Sequence, residues 1–154
     1  MKIGIISDTH GFLDPEVLRL FQGVDHILHG GDIGSSRVIA LLEDIAPVTA
    51  VSGNTDAEIG FRETEIIRLM GRKFLLHHIV DVRSTAEAIK RRIDAERPDV
   101  IVFGHTHRRH CEYTGPTLYL NPGYAGKPRF NLVRSVAILS FTNNRFAPEF
   151  FDLE

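Results

Sequence analysis

The sequence predicts an α/β fold of two facing, mixed β-sheets with helices on their outer sides, a four-layer α/β/β/α sandwich. Three observations predict it. In the first half, apolar runs of strand type alternate with amphipathic segments. In the second half, after one further helix and strand, only short β-type runs follow. Finally, four polar motifs each follow directly on an apolar run: Asp8-Thr9-His10, Gly30-Gly31-Asp32, Gly53-Asn54-Thr55-Asp56 and Gly104-His105-Thr106-His107. Parallel strands gather their carboxyl ends along one sheet edge, so motifs far apart in sequence can meet there around a single site.

The elements follow in order. Lys2 to Ser7 reads as a buried strand, and Asp14-Pro15-Glu16 opens a helix with a cap, a proline in the first turn and an acidic residue. Asp25 to His29 is the second strand. A helix follows Gly34-Ser35-Ser36 and runs through Ile45, with Ile39, Leu42 and Ile45 on one face. Pro47 to Val51 is the third strand, and this βαβαβ order implies parallel strands with right-handed crossovers. Glu65 to Leu69 and Lys73 to His78 form a hairpin around Met70-Gly71, where the glycine supplies a positive φ. Ser84 to Glu96 is a helix opened by a capping box of Ser84 and Glu87 and ended before Pro98. Val100 to Phe103 runs into the histidine motif. Cys111 to Tyr113, Leu118 to Leu120, Val136 to Phe141 and Phe146 to Phe151 are the remaining strands, the last two joined through Asn143-Asn144.

A chain of 154 residues, 43% hydrophobic and 25% charged, fits one globular domain over 1 to 154. A net charge of -2 gives no basic field for long nucleic acid, which is disfavoured as a partner. The lone Cys111 allows no internal disulfide, the first residues show no charged-then-apolar leader, and the apolar runs are too short to cross a bilayer. The expectation is a cytoplasmic protein with no membrane partner. The strand from Phe146 to Phe151 could pair between copies, which leaves a homo-oligomer open.

Carboxylate, imidazole and amide oxygen are a ligand mix suited to manganese, iron, zinc or nickel, and the lack of clustered thiolates argues against a closed structural zinc site. Asp32 is the candidate bridge between two ions, since a carboxylate offers two oxygens and a full charge. In an extended segment alternate side chains share a side, so Asp8 and His10 are expected to grip one ion, and His105 and His107 to reach a shared site.

The order of Asp-x-His, Gly-Gly-Asp, Gly-Asn, a strand-borne histidine and Gly-His-Thr-His resembles the calcineurin-like metallophosphoesterase superfamily. The chain is most similar to its small one-domain bacterial and archaeal phosphodiesterases, which resemble the eukaryotic retromer subunit Vps29. The likeness runs from Asp8 to Asn121-Pro122-Gly123 and the Gly126 to Phe130 segment beyond. It implies a dinuclear metal-dependent phosphodiesterase acting on a small phosphate ester by in-line attack of a metal-bridging hydroxide. Asp8, His10, Asp32 and His107 would hold the first divalent ion. Asp32, Asn54, His105 and a histidine of the strand at 73 to 78 would hold the second. The family's ligand falls seven residues after the hairpin glycine, which gives His78, with His77 as the alternative. Mn²⁺ is the first choice of metal, with Ni²⁺, Zn²⁺ or Fe²⁺ as options. Asp32, Asn54 and His105 are the implied catalytic residues.

One departure bears on rate. Many members of the superfamily carry histidine after Gly-Asn as a proposed general acid, and here Thr55 stands in its place. Such an acid is commonly worth roughly 10² to 10⁴ in rate. The departure keeps an alternative alive, a catalytically weak or inactive Vps29-like binding or scaffold protein. Asn54, Thr55 and Arg129 are candidate substrate contacts, with Lys127 beside Arg129 in a turn-rich loop. His26 and His29 are assigned to packing or hydrogen bonding, His110 to the pocket rim, Cys111 to a small buried hydrophobe, and Lys90, Arg91 and Arg92 to a solvated helix face.

Overall fold

The computed structural model describes residues 1–129 and 131–154. Phe130, where the family likeness was expected to end, lies outside the described residues. Two five-stranded sheets carry the fold. The first has the order β10-β9-β1-β2-β3, built from β1 (Lys2–Ile6), β2 (His26–His29), β3 (Val48–Ala50), β9 (Arg134–Thr142) and β10 (Arg145–Leu153). The second has the order β4-β5-β6-β8-β7, from β4 (Thr64–Leu69), β5 (Arg72–His77), β6 (Val100–Val102), β7 (His110–Thr114) and β8 (Thr117–Asn121). β1, β2 and β3 are parallel, as are β5, β6 and β8. The hairpin strands β4, β7, β9 and β10 pair antiparallel and make both sheets mixed.

Strand alternation builds the layers. Ile3 and Ile5 of β1 and Ala137 and Leu139 of β9 meet Phe74, Leu76, Val100, Val102, Leu118 and Leu120 from the other sheet in one apolar cluster. The intervening residues face outward. Ile6, Ile27 and Val136 pack on α1 (Pro15–Leu20) and α2 (Ser36–Glu43), while Leu75, Ile101 and Tyr119 pack on Ile89 and Ile93 of α3 (Glu87–Glu96). Gly4 shows how close the helix layer lies: a Cβ there would stand 2.9 Å from the Phe21 ring.

Two local expectations are corrected and a third is extended. α2 ends at Glu43 and does not reach Ile45, although Ile45 still packs against the same core. α3 begins at Glu87, not at Ser84, because the Asp81 carboxylate draws the N–H groups of Arg83 and Ser84 into a turn and leaves Ala86 as a cap without a side-chain bond. In the β4–β5 hairpin Met70 has positive φ as well as Gly71. Two of the two-residue hairpin turns, Met70-Gly71 and Asn143-Asn144, carry the pair of positive φ values that matches strand twist.

Candidate metal centre

The ligand positions leave the carboxyl ends of the parallel strands. Asp8 and His10 follow β1, Asp32 follows β2, Asn54 follows β3, His78 directly follows β5, and His105 and His107 follow β6. The expected reason for their convergence is wrong. Asp8 and His10 are not alternate residues of an extended segment. Asp8 (φ 55°), His10 (φ 48°), Asp32 (φ 52°), His105 (φ 72°) and His107 (φ 60°) all occupy the left-handed region. Each turns the chain sharply, at a cost of order 1–3 kcal/mol per residue that the surroundings must offset. Backbone bonds between loops do so: the N–H of Asp8 donates to Gly31 at 2.9 Å, that of His10 to Asp32 at 2.9 Å, and that of Gly11 to Ile33 at 2.7 Å.

Two carboxylates stand among the imidazoles. Asp8 Oδ1 lies 3.3 Å from His107 Nε2, 3.8 Å from His78 Nε2 and 3.9 Å from His10 Nε2. Asp32 Oδ2 lies 3.2 Å from His78 Nε2 and 3.8 Å from His10 Nε2. Asp8, His10 and His107 form one group able to hold an ion, and Asp8, Asp32 and His78 form another. Asp8 therefore belongs to both groups, while Asp32 belongs to the second and touches the first only through His10. Each carboxylate has its other oxygen tied back. Asp8 Oδ2 accepts from Ser7 Oγ at 2.7 Å and from the His105 N–H at 3.2 Å. Asp32 Oδ1 accepts from the Thr55 N–H at 3.1 Å and the Thr55 hydroxyl at 2.9 Å.

The donor atoms fit a divalent cation. Asp8 Oδ1, His10 Nε2 and His78 Nε2 are buried and have no hydrogen-bond partner. A buried polar group left unmatched costs about 1–3 kcal/mol, and more when charged, so one cation among them relieves several penalties together. The ring of His78 is already set for ligation. Its Nδ1 is 2.7 Å from the Gly30 carbonyl, which only accepts, so Nδ1 carries the proton and Nε2 keeps its lone pair. His77, one residue earlier, turns to the other side and bonds Thr64 Oγ1 at 2.8 Å, so the structure brings His78 to the centre and leaves His77 out.

The other candidates lie at the margin. The exposed His105 ring is 5.4 Å from that of His78 and stands outside the two tight groups. Asn54 is exposed and shares a small hollow with His78 and Ile79. Thr55 spends its hydroxyl on Asp32. The Arg129 guanidinium lies 5.3 Å over the Tyr124 ring, and that ring is 4.8 Å from His107. His110, assigned to the rim, is half-buried on β7.

Asp56 and Asn121 position the ligand loops without having been assigned that role from the sequence, whereas His29 makes the hydrogen bonds expected of it. Asp56, 1% exposed, accepts the N–H groups of Ile33, Gly34 and Gly53 at 2.8–2.9 Å and so ties the third loop to the second. Its place inside the Gly-Asn-Thr-Asp motif was the available signal. Asn121 Nδ2 donates to the Gly104 carbonyl at 3.0 Å and steadies the histidine loop. His29 accepts the Gly31 N–H at Nδ1, 3.1 Å away, so its Nε2 carries the proton and donates to Thr9 Oγ1 at 3.0 Å. Gly104 is required by closeness, since a Cβ there would stand 2.5 Å from Asp8 Oδ2.

Burial raises the Asp8 pKa above the ordinary carboxylate value, against the opposing pull of His78 and the Ser7 bond. Burial acts on Asp32 in the same sense, but His78, the two Thr55 bonds and His10 outweigh it and hold that pKa below the ordinary value. Burial lowers the His107 pKa despite Asp8, with His10 and Arg129 adding to the effect, which keeps that ring neutral and available as a ligand. Burial pushes His29 down to about 3, so it is a neutral hydrogen-bonding group at ordinary pH.

Such a fold, with acidic and imidazole donors converging at the carboxyl ends of both sheets, defines a metal-binding α/β protein. The calcineurin-like phosphoesterase superfamily domain matches residues 1–144, and the chain belongs to that family. A probable metallophosphoesterase of Methanocaldococcus jannaschii is 34% identical over 147 residues, which cover 91% of this chain and 76% of that protein. A phosphodiesterase of the same organism is 32% identical over 142 residues, 80% of this chain and 83% of that one. Among solved structures, Vps29 of Entamoeba histolytica complexed with Zn²⁺ superposes with a TM-score of 0.75 at 24% identity, covering 99% of each chain. That last likeness is one of fold.

Proposed function

We propose that the chain is a phosphodiesterase that uses two divalent metal ions, Mn²⁺ by first choice, to hydrolyse a small phosphate ester in the cytoplasm. The observation that carries this reading is the pair of carboxylates, each with one oxygen tied back and the other aimed among imidazoles, of which His10 and His78 have a buried Nε2 without a hydrogen-bond partner. Asp8, His10 and His107 would hold the first ion with Asp32, and Asp32, His78, Asn54 and His105 the second. Bound there, two ions would neutralise phosphoryl oxygens and lower the pKa of water to near neutrality.

The chain's own groups do the rest. Asp8 and Asp32 supply the negative charge that makes the site cation-selective, and the left-handed loop residues hold that geometry before any ligand arrives. Asn54, on the rim by His78, presents an amide for a phosphoryl oxygen. Arg129, stacked on Tyr124 beside His107, supplies a positive charge to the substrate from the opposite side. Thr55 serves as an anchor for Asp32 and does not donate a proton, so alcohols of low pKa leave fastest.

Hydrolysis of a panel of phosphomonoesters and diesters, with the protein reconstituted separately with Mn²⁺, Ni²⁺, Zn²⁺ and Fe²⁺, tests the reading. Turnover of diesters above monoesters is expected. No turnover with any metal sinks the enzyme and leaves the Vps29-like binding protein, a reading favoured by the tethered Thr55 hydroxyl where an acid is needed.

A further inference from the structure

Beside the metal centre, on the His105 side, a groove of about 670 Å³ runs between the loop after β5 and the start of β7. Gly104 and His105 belong to both, so groove and centre share a wall. The groove contains groups that folding leaves unused. Ile79 is 45% exposed, a large aliphatic side chain outside the three apolar clusters. His110 Nε2 is buried without a hydrogen-bond partner, and its ring lies 5.7 Å from that of Phe103, which is buried at the base of the groove. Among the described residues the guanidinium groups of Arg83 and Arg108 form no salt bridge, whereas neighbouring Arg109 is bound to Asp152 and lies over Phe150. Of the two acidic residues at this groove, Asp81 is engaged by the N–H groups of its own loop and Glu112 is exposed.

We infer that this groove binds one organic arm of a phosphodiester, an arm with a ring-shaped or apolar body and a phosphate of its own, which is the chemistry of a nucleoside monophosphate unit. The inference rests on the phosphodiesterase reading for the position of the scissile phosphorus. The body of the arm lies against Ile79, Val82 and Phe103, and His110 Nε2 takes up a hydrogen bond to it. Arg83 and Arg108 hold the arm's phosphate from the two walls, where planar guanidinium forks match phosphate oxygens in pairs. The volume lies within the roughly 300–1,000 Å³ usual for ligand sites.

The test is equilibrium binding of AMP, with adenosine and inorganic phosphate alongside, to the Mn²⁺-loaded full chain and to its Arg83→Ala/Arg108→Ala variant. Both arginines are exposed, so the variant keeps the core intact. AMP is expected to bind more tightly than either half, and the double substitution should weaken it at least tenfold. Equal AMP binding by the two proteins, as when ions alone take the phosphate, overturns the inference. Hydrolysis then separates it from the reading beneath it. If AMP binding responds to the substitutions but no diester is cleaved, the groove stands and the phosphodiesterase falls. If a dinucleotide with a terminal phosphate and bis(p-nitrophenyl) phosphate keep the same ratio of kcat/KM in both proteins, the groove assignment falls alone.

Discussion

At the scale of single residues, the proposed pair of ions would be bridged by Asp32, with Asp8 as the competing carboxylate. Asp32→Asn should abolish binding of both ions, counted by metal analysis after gel filtration. Loss of one ion only would transfer the bridge to Asp8, whose Oδ1 reaches all three imidazoles. Removing the hydroxyl that ties Asp32 down is a milder change: Thr55→Val should weaken metal binding about threefold to tenfold, read by competition with a chelating dye, because the hydroxyl sits at the solvent-exposed end of the bond and is worth only a modest amount. His29 makes a prediction about pH. Its pKa is about 3 in the fold against the ordinary 6.5, so the unfolded chain takes up a proton that the native one refuses. Stability is therefore full above pH 6.5 and is lost as pH falls from there toward 3, by roughly 1.4 kcal/mol per unit. Urea unfolding of metal-free protein should show a deficit of about 2 kcal/mol at pH 5 relative to pH 7.5 that His29→Gln lacks. Asp8, whose pKa is raised, acts in the opposite sense, and the difference between the two proteins removes its contribution. The candidate ligands could be picked out because all but His78 sit in a short motif after an apolar run. The supports were less legible: a histidine on an apolar strand, such as His29, carries no pattern that separates a packed ring from one that holds two loops in register.

At the scale of elements, strands and turns could be read because alternation and turn chemistry are local. Asn143-Asn144 and Met70-Gly71 fall at their expected places for that reason. Helix starts were less legible where two caps compete. Ser84 and Glu87 have the spacing of a capping box, but Asp81 lies three residues earlier and its carboxylate takes the Ser84 N–H first. The consequence is an uncapped α3. Ala86→Asp should stabilise the protein by about 1 kcal/mol, or a few degrees in Tm, by giving the first turn an acceptor and a favourable charge. No change in Tm would mean that the 81–85 turn already satisfies those N–H groups. The left-handed ligand residues are the other lesson at this scale. Alternation predicted the right neighbours for the wrong reason, because nothing in the residue types of Asp8-Thr9-His10 announces that the strand has ended at Ile6.

At the scale of the whole molecule, the two-sheet architecture was legible from the order of segments, but which faces meet was not, since alternation alone does not say which side of a strand turns inward. The sheets divide the donor set between them. Loops of the first provide Asp8, His10, Asp32 and Asn54, and loops of the second provide His78, His105 and His107. Ions bound across that seam stabilise only the folded chain, so Tm should climb with metal concentration, by the equivalent of about 2.7 kcal/mol at a hundred times the dissociation constant. A Tm indifferent to Mn²⁺ and to chelator would remove the metal centre from the account. The division has a mechanical meaning as well. Asp8 and Asp32 are fixed to one slab and His78 to the other, so an ion bound among them would sit where a carpenter would set a gauge across a joint. A shear of one sheet against the other by an ångström lengthens some ligand bonds and shortens others. Anything that docks on an outer helix and nudges its sheet would register at the centre as a change in metal affinity, and the tightness with which the ion is held becomes a readout of strain applied far from it.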